Sequence, residues 1–175
     1  DGPTSSFGAF GDLLLQDDGG YQYIPNGSAI EALASGDSAL ENFAIAASAD
    51  GVSTIETFAV NISGANDVPT LSALSAGSVT DGSGSGSGDF SVTNLSGDFS
   101  ASASDVDAGD TLAFSVSGGS AGSFGDLVLS GDGSYVFDFN VAAVEGLGAG
   151  ESGSDSFSIT VTDSQNAADT EVFLV

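Results

Sequence analysis

Hydrophobic and polar residues alternate in short runs along the chain. Phe58, Val60 and Ile62 are separated by Ala59 and Asn61, and Leu112, Phe114 and Val116 by Ala and Ser. Tyr135, Phe137 and Phe139 are separated by Val and Asp, and Phe157, Ile159 and Val161 by Ser and Thr. A period of two places alternate side chains on opposite faces of an extended backbone, so each run predicts a strand with one buried face. Asp17-Asp18-Gly19-Gly20 and Ser130-Gly131-Asp132-Gly133 read as hairpin turns, where Gly supplies the positive φ that such turns need. Ala29 to Leu33 and Ala143 to Leu147 suggest single helical turns. The Gly/Ser alternation from Gly82 to Gly88 reads as a flexible loop or hinge.

The pattern repeats. Phe10-Gly11-Asp12-Leu13-Leu14-Leu15 matches Phe124-Gly125-Asp126-Leu127-Val128-Leu129 at an offset of 124 − 10 = 114. The same offset pairs Tyr21 with Tyr135, Asn26 with Asn140, Glu31 with Glu145, Phe43 with Phe157 and Ile45 with Ile159. One inserted residue later, Phe58 and Val60 fall on Phe173 and Val175. Asp1-Gly2-Pro3-Thr4 matches Asp67-Val68-Pro69-Thr70 at an offset of only 66, so 114 − 66 = 48 residues of the second copy have no counterpart in the first. They correspond roughly to residues 71 to 120, which would hold the opening strands of the unit.

The copies meet at Gly64-Ala65-Asn66-Asp67-Val68-Pro69-Thr70, where Pro69 holds Val68 extended. The expected organisation is a truncated β-sandwich repeat over 1–66 and a complete one over 67–175 carrying the Gly/Ser-rich loop at 82–88. Short strands with turns at this spacing favour a sandwich over a barrel.

Charge alters the picture more than composition does. Twenty-five Asp and Glu stand against no Lys, Arg or His, a formal charge of −25. No side-chain salt bridge is possible, and self-repulsion must be offset by salt or bound cations. Nucleic acid and anionic membrane surfaces are poor partners for want of basic residues. The absence of Cys excludes disulfides and thiolate metal sites. No secretory leader stands at Asp1 and no apolar run is long enough to cross a bilayer, so the chain reads as a soluble excerpt of something larger.

The densest acidic cluster is Ser104-Asp105-Val106-Asp107-Ala108-Gly109-Asp110, between two strand-like runs. Asp105 and Asp107 can turn toward one hard cation in a non-extended loop, and Ca²⁺ takes 6–8 oxygens. A solvated turn is the alternative. The twelve-residue EF-hand spacing is absent. Asn66 and Asp67 at the junction are a second place to look for a cation.

Gly-Ala-Asn-Asp-Val-Pro at 64–69, Asp-Val-Asp-Ala-Gly-Asp-Thr-Leu at 105–112, Asp-Gly-Ser-Tyr at 132–135, Ala-Val-Glu-Gly-Leu-Gly-Ala-Gly-Glu at 143–151 and Phe-Ser-Ile-Thr-Val-Thr-Asp at 157–163 together resemble a VCBS-type, cadherin-like repeat of giant bacterial RTX adhesins. The resemblance covers most of the chain outside residues 75–100. It implies an all-β fold of tandem immunoglobulin-like (cadherin-like) β-sandwiches, the first lacking its opening strands, with Ca²⁺ at the junctions between repeats. By position it implies Asn66 and Asp67 as linker ligands, Asp105 and Asp107 as paired loop aspartates, with Asp110 beside them, and Asp163 after the penultimate strand. Glu31 or Asp37 would complete the site.

Catalysis finds little support without His, Cys or Lys; a glycosidase-like carboxylate pair would need a cleft, and the acids fall in turns and at strand ends. Trp is absent, and Tyr21, Tyr23, Tyr135 and the twelve Phe sit at core-like spacing. The expected function is therefore structural, not enzymatic. It is a Ca²⁺-stabilised module of an extracellular, cell-surface adhesin or matrix filament that extends and rigidifies the chain. The alternative is a carbohydrate- or surface-ligand-binding module. An incomplete first repeat would seek a strand. The donor would be Leu71 to Val79 folding back, or another copy of the chain joined head to tail.

Overall fold

The computed structural model describes residues 4–82 and 89–175. Asp1-Gly2-Pro3 and the Gly/Ser run beyond Gly82 fall outside the described residues. The fold is all-β, built of antiparallel sheets, and divides into two compact units. One comprises Asp1–Asp67 with Val106–Gly109, the other Val68–Asp105 with Asp110–Val175.

In the first unit, β1 (Thr4–Phe7), β2 (Gly11–Leu15) and β3 (Tyr21–Pro25) form an antiparallel sheet in that order. A helical turn, α1 (Gly27–Glu31), leads to a long hairpin of β4 (Ser38–Ala49) and β5 (Val52–Ser63). Leu13, Phe43 and Ile62 are the unit's buried large apolar residues on the strands, each at an apolar position of the alternation.

The second unit opens with β6 (Thr70–Leu71), β7 (Ser78–Asp81), β8 (Phe90–Thr93), β9 (Ser96–Asp98) and β10 (Ala103–Ser104). After them come β11 (Ala113–Ser117), β12 (Gly125–Leu129), β13 (Ser134–Phe139), α2 (Val141–Glu145), β14 (Ser156–Thr162) and β15 (Ala168–Leu174). One sheet has the order β11-β14-β15, another β12-β13-β9, and the pairs β10-β6 and β7-β8 stand beside them. Leu71, Phe99, Phe114, Leu127, Tyr135, Phe137, Phe157, Ile159, Val161 and Phe173 form one apolar cluster drawn from both three-stranded sheets, as a sandwich requires. Phe99 stacks on Tyr135 with ring centroids 4.0 Å apart and packs edge-on against Phe173 at 5.2 Å.

The elements recur at the offset seen in the sequence: β2, β3 and α1 correspond to β12, β13 and α2, and β4 and β5 to β14 and β15. The helical turns start two residues earlier than expected, immediately after Asn26 and Asn140. Asn140 accepts the Ala143 N–H through its side chain, which fixes the start of α2. The expected hairpin turns are present, with Gly19 at φ 85° and Gly133 at φ 98°.

Among the described residues, the first unit has no counterpart of β9 or β11. The consequence falls on individual side chains. Tyr21 and Phe58 make the same ring contact, 4.9 Å between centroids, as Tyr135 and Phe173 at 5.1 Å. Tyr135 lies beneath Phe99 and is 8% exposed, whereas Tyr21 is 59% exposed. The core position expected for Tyr21 is therefore not realised. Leu71 to Val79, a candidate to fold back onto the first unit, is engaged in the second. Leu71 is buried there and donates its N–H to Asp169, and β7 pairs with β8.

Candidate metal centre

Residues 105–110 form a loop of small and acidic residues with Gly109 at φ 92°, a conformation that brings successive aspartates back toward one point. Carboxylate oxygens of Asp105, Asp107 and Asp110 lie within 4.8 Å of one another. Asp107 is buried, while Asp105 and Asp110 are half-buried. Asp107 Oδ2 accepts the backbone N–H of Asp67 at 2.9 Å. Asp110 Oδ1 accepts the Ser164 hydroxyl at 2.8 Å.

The remaining candidate residues occupy other settings. The Asn66 side chain donates to the Asp67 carbonyl at 2.8 Å. Asp163, buried at the turn between β14 and β15, accepts the N–H groups of Gln165 and Ala167 through Oδ1. Glu31, at the end of α1, is exposed. Asp37 is exposed as well, and its backbone bridges the Ala34 carbonyl and the Gly64 N–H. The three-carboxylate group at 105–110 is the one such cluster among the described residues.

The group suits a hard divalent cation. Its donors are all carboxylate oxygens, they carry three negative charges on a short arc of chain, and three carboxylates can supply up to about six oxygens to an ion that takes 6–8. No Lys or Arg exists to neutralise them.

Two carboxylates that sequence reasoning passed over serve a different purpose. Asp155, 7% exposed, accepts the N–H groups of Ser123 and Phe124 at 2.7 and 2.8 Å. Its counterpart 114 residues earlier is Glu41, 8% exposed, which accepts the Phe10 N–H at 2.7 Å and the Tyr23 hydroxyl at 2.7 Å. Where the first copy has the longer acid it has Tyr23, and where the second has the shorter acid it has Phe137. Burial pushes the Glu41 carboxyl up, but the Phe10 N–H, the Tyr23 hydroxyl and the Ala9 N–H together hold it below its ordinary value. Burial, followed by the bond to Glu41, pushes the Tyr23 hydroxyl up to about 12. The sequence carries only a partial signal: an acid recurs at this place in both copies, but so do Glu31 and Glu145, and recurrence does not mark the buried pair.

The comparison with known families decides the classification. Residues 66–174 match the family model described as the bacterial cadherin-like domain. The chain belongs to that family. No curated protein matches it. The cadherin-like domain is a structural, adhesion-type fold, it commonly binds Ca²⁺, and it occurs in surface proteins of bacteria. The Asp105, Asp107 and Asp110 cluster lies inside the matched span. Among the described residues no helix is long and apolar enough to cross a membrane.

Proposed function

We propose that this chain is a structural module of an extracellular bacterial adhesin or matrix filament, of the VCBS and RTX kind that the sequence resembles. In this reading it performs no catalysis. Ca²⁺ bound by Asp105, Asp107 and Asp110 supports it, and its partners are neighbouring repeats or other copies of the chain. The observation that carries the reading is the convergence of three carboxylates within the cadherin-like span of a protein without a single basic side chain.

Bound Ca²⁺ would supply the positive charge that the sequence lacks, neutralise the loop and hold residues 105–110 in one conformation. The chain would extend and stiffen when the ion is present. Binding to the folded state alone stabilises it by about 2.7 kcal/mol at a hundredfold excess over the dissociation constant. Calorimetric titration with CaCl₂ at low salt tests the reading, with melting followed in Ca²⁺ and in chelator. Saturable binding and a higher melting temperature in Ca²⁺ are expected, both weakened by Asp107→Asn. No heat of binding and an unchanged melting temperature would overturn it.

A further inference from the structure

We infer that the first unit pairs with a second copy of itself through the open edge of β4, making a two-fold dimer in which the hairpin sheets join antiparallel about Ala46. This surface involves no metal and is independent of the Ca²⁺ reading above.

The second unit indicates what that edge requires. Its counterpart, β14, carries β5's equivalent on one side and β11 on the other, with Ala113 to Ser117 opposite Thr162 to Ser158. On the inner face Phe114 lies opposite Val161 and Val116 opposite Ile159. Subtracting 114 places the five positions facing β11 at Ala44 to Ser48. Among the described residues β4 pairs with β5 alone, so a row of backbone donors and acceptors along these five residues faces no strand.

The occupant is identified by chemistry. Phe43 to Ala49 contains no charged residue in a chain of formal charge −25, and Ala44, Ala46, Ala47 and Ser48 are small and exposed. A strand brought here must carry no carboxylate opposite, and must offer an apolar residue to each of Ile45 and Ala47. Within this chain β11 meets that description but is engaged in the second unit, and β5 carries Glu56 along its edge. A second β4 meets it as well. Antiparallel about Ala46, Ile45 faces the partner's Ala47 and Ala47 the partner's Ile45, and Ala44 faces Ser48. Large meets small at each apolar pair, and the nearest acids, Glu41 and Asp50, lie outside the five paired positions. An isologous contact of this kind closes at two copies, whereas head-to-tail donation would propagate. The competing edges are poorer: β1 has four residues, and β3 ends in Pro25, which has no N–H.

Analytical ultracentrifugation of the full chain in about 0.5 M NaCl, where charge repulsion is screened within roughly 5 Å, tests the inference. A concentration-dependent monomer–dimer equilibrium is expected, weakening as salt is lowered. Ala46→Asp sets two carboxylates directly opposite across the axis and should weaken the dimer by about tenfold or more. Ala59→Asp, the same charge on β5, should not. Because the natural chain has no Cys, Ala46→Cys gives a clean geometric reading. Residues directly opposite in an antiparallel pair stand about 4.5–5.5 Å apart at Cα, within disulfide range, so oxidation should yield a covalent dimer from Ala46→Cys and not from Ala59→Cys. A monomer at every concentration, dimers or larger assemblies indifferent to Ala46→Asp, or cross-linking through Ala59 instead would each overturn the proposal.

Discussion

Asp155 offers the sharpest test of how this acidic chain holds its core. Removing one carboxylate from a protein with 25 acids and no bases should, on charge alone, relieve repulsion and stabilise. The structure predicts the opposite sign. Asp155 accepts two backbone N–H groups, from Ser123 and Phe124, at 2.7 and 2.8 Å and is 7% exposed. Asp155→Ala orphans both donors, and each unsatisfied buried group costs about 1–3 kcal/mol, so a loss of roughly 2–6 kcal/mol is expected. Asp155→Asn retains one acceptor but points an amide N–H₂ at the other donor, which places its cost at about 2–3 kcal/mol. Urea denaturation of the second unit, followed by circular dichroism at low and high salt, measures both. High salt removes the compensating relief of repulsion, so the cost should persist or grow there. A change below about 1 kcal/mol for Asp155→Ala, or stabilisation at high salt, would refute the reasoning.

Further outcomes follow from the same geometry. A Cβ at Gly122 would stand 2.2 Å from Asp155 Oδ2 and 2.6 Å from the Gly125 carbonyl, so Gly122→Ala should destabilise the second unit by about 2–4 kcal/mol in the same denaturation assay. Phe99→Ala removes the ring stacked on Tyr135 and should cost about 3–5 kcal/mol, with Tyr135 becoming exposed to fluorescence quenchers. Glu41 has its folded pKa depressed, so its contribution to the first unit is present above the ordinary carboxylate pKa and lost as pH falls through the folded value. Glu41→Gln should flatten that acid limb of the stability curve. Tyr23, pushed up to about 12, contributes stability below the ordinary tyrosine pKa that is lost as pH rises toward 12, and ultraviolet titration should record its late ionisation.

Alternation of period two and the self-match at 114 residues were enough to reach an all-β, repeated architecture, because a half-buried strand writes its burial directly into every second residue. Phe114, Tyr135, Phe137, Phe157, Ile159 and Val161 are buried where that alternation places them, and Asp105, Asp107 and Asp110 converge because six residues of loop leave them few alternatives. The sequence alone could not assign Tyr21, whose spacing equals that of Tyr135, because burial of the ring depends on Phe99, which reaches Tyr135 from a segment distant in sequence. Nor could it separate the acids that sit in turns from Glu41 and Asp155, buried and served by N–H groups of a turn some 31 residues earlier. Local pattern determines which face of a strand is apolar. Whether anything covers that face, and which polar groups a buried carboxylate meets, are decided by residues remote in the chain, and only the tertiary structure brings those together.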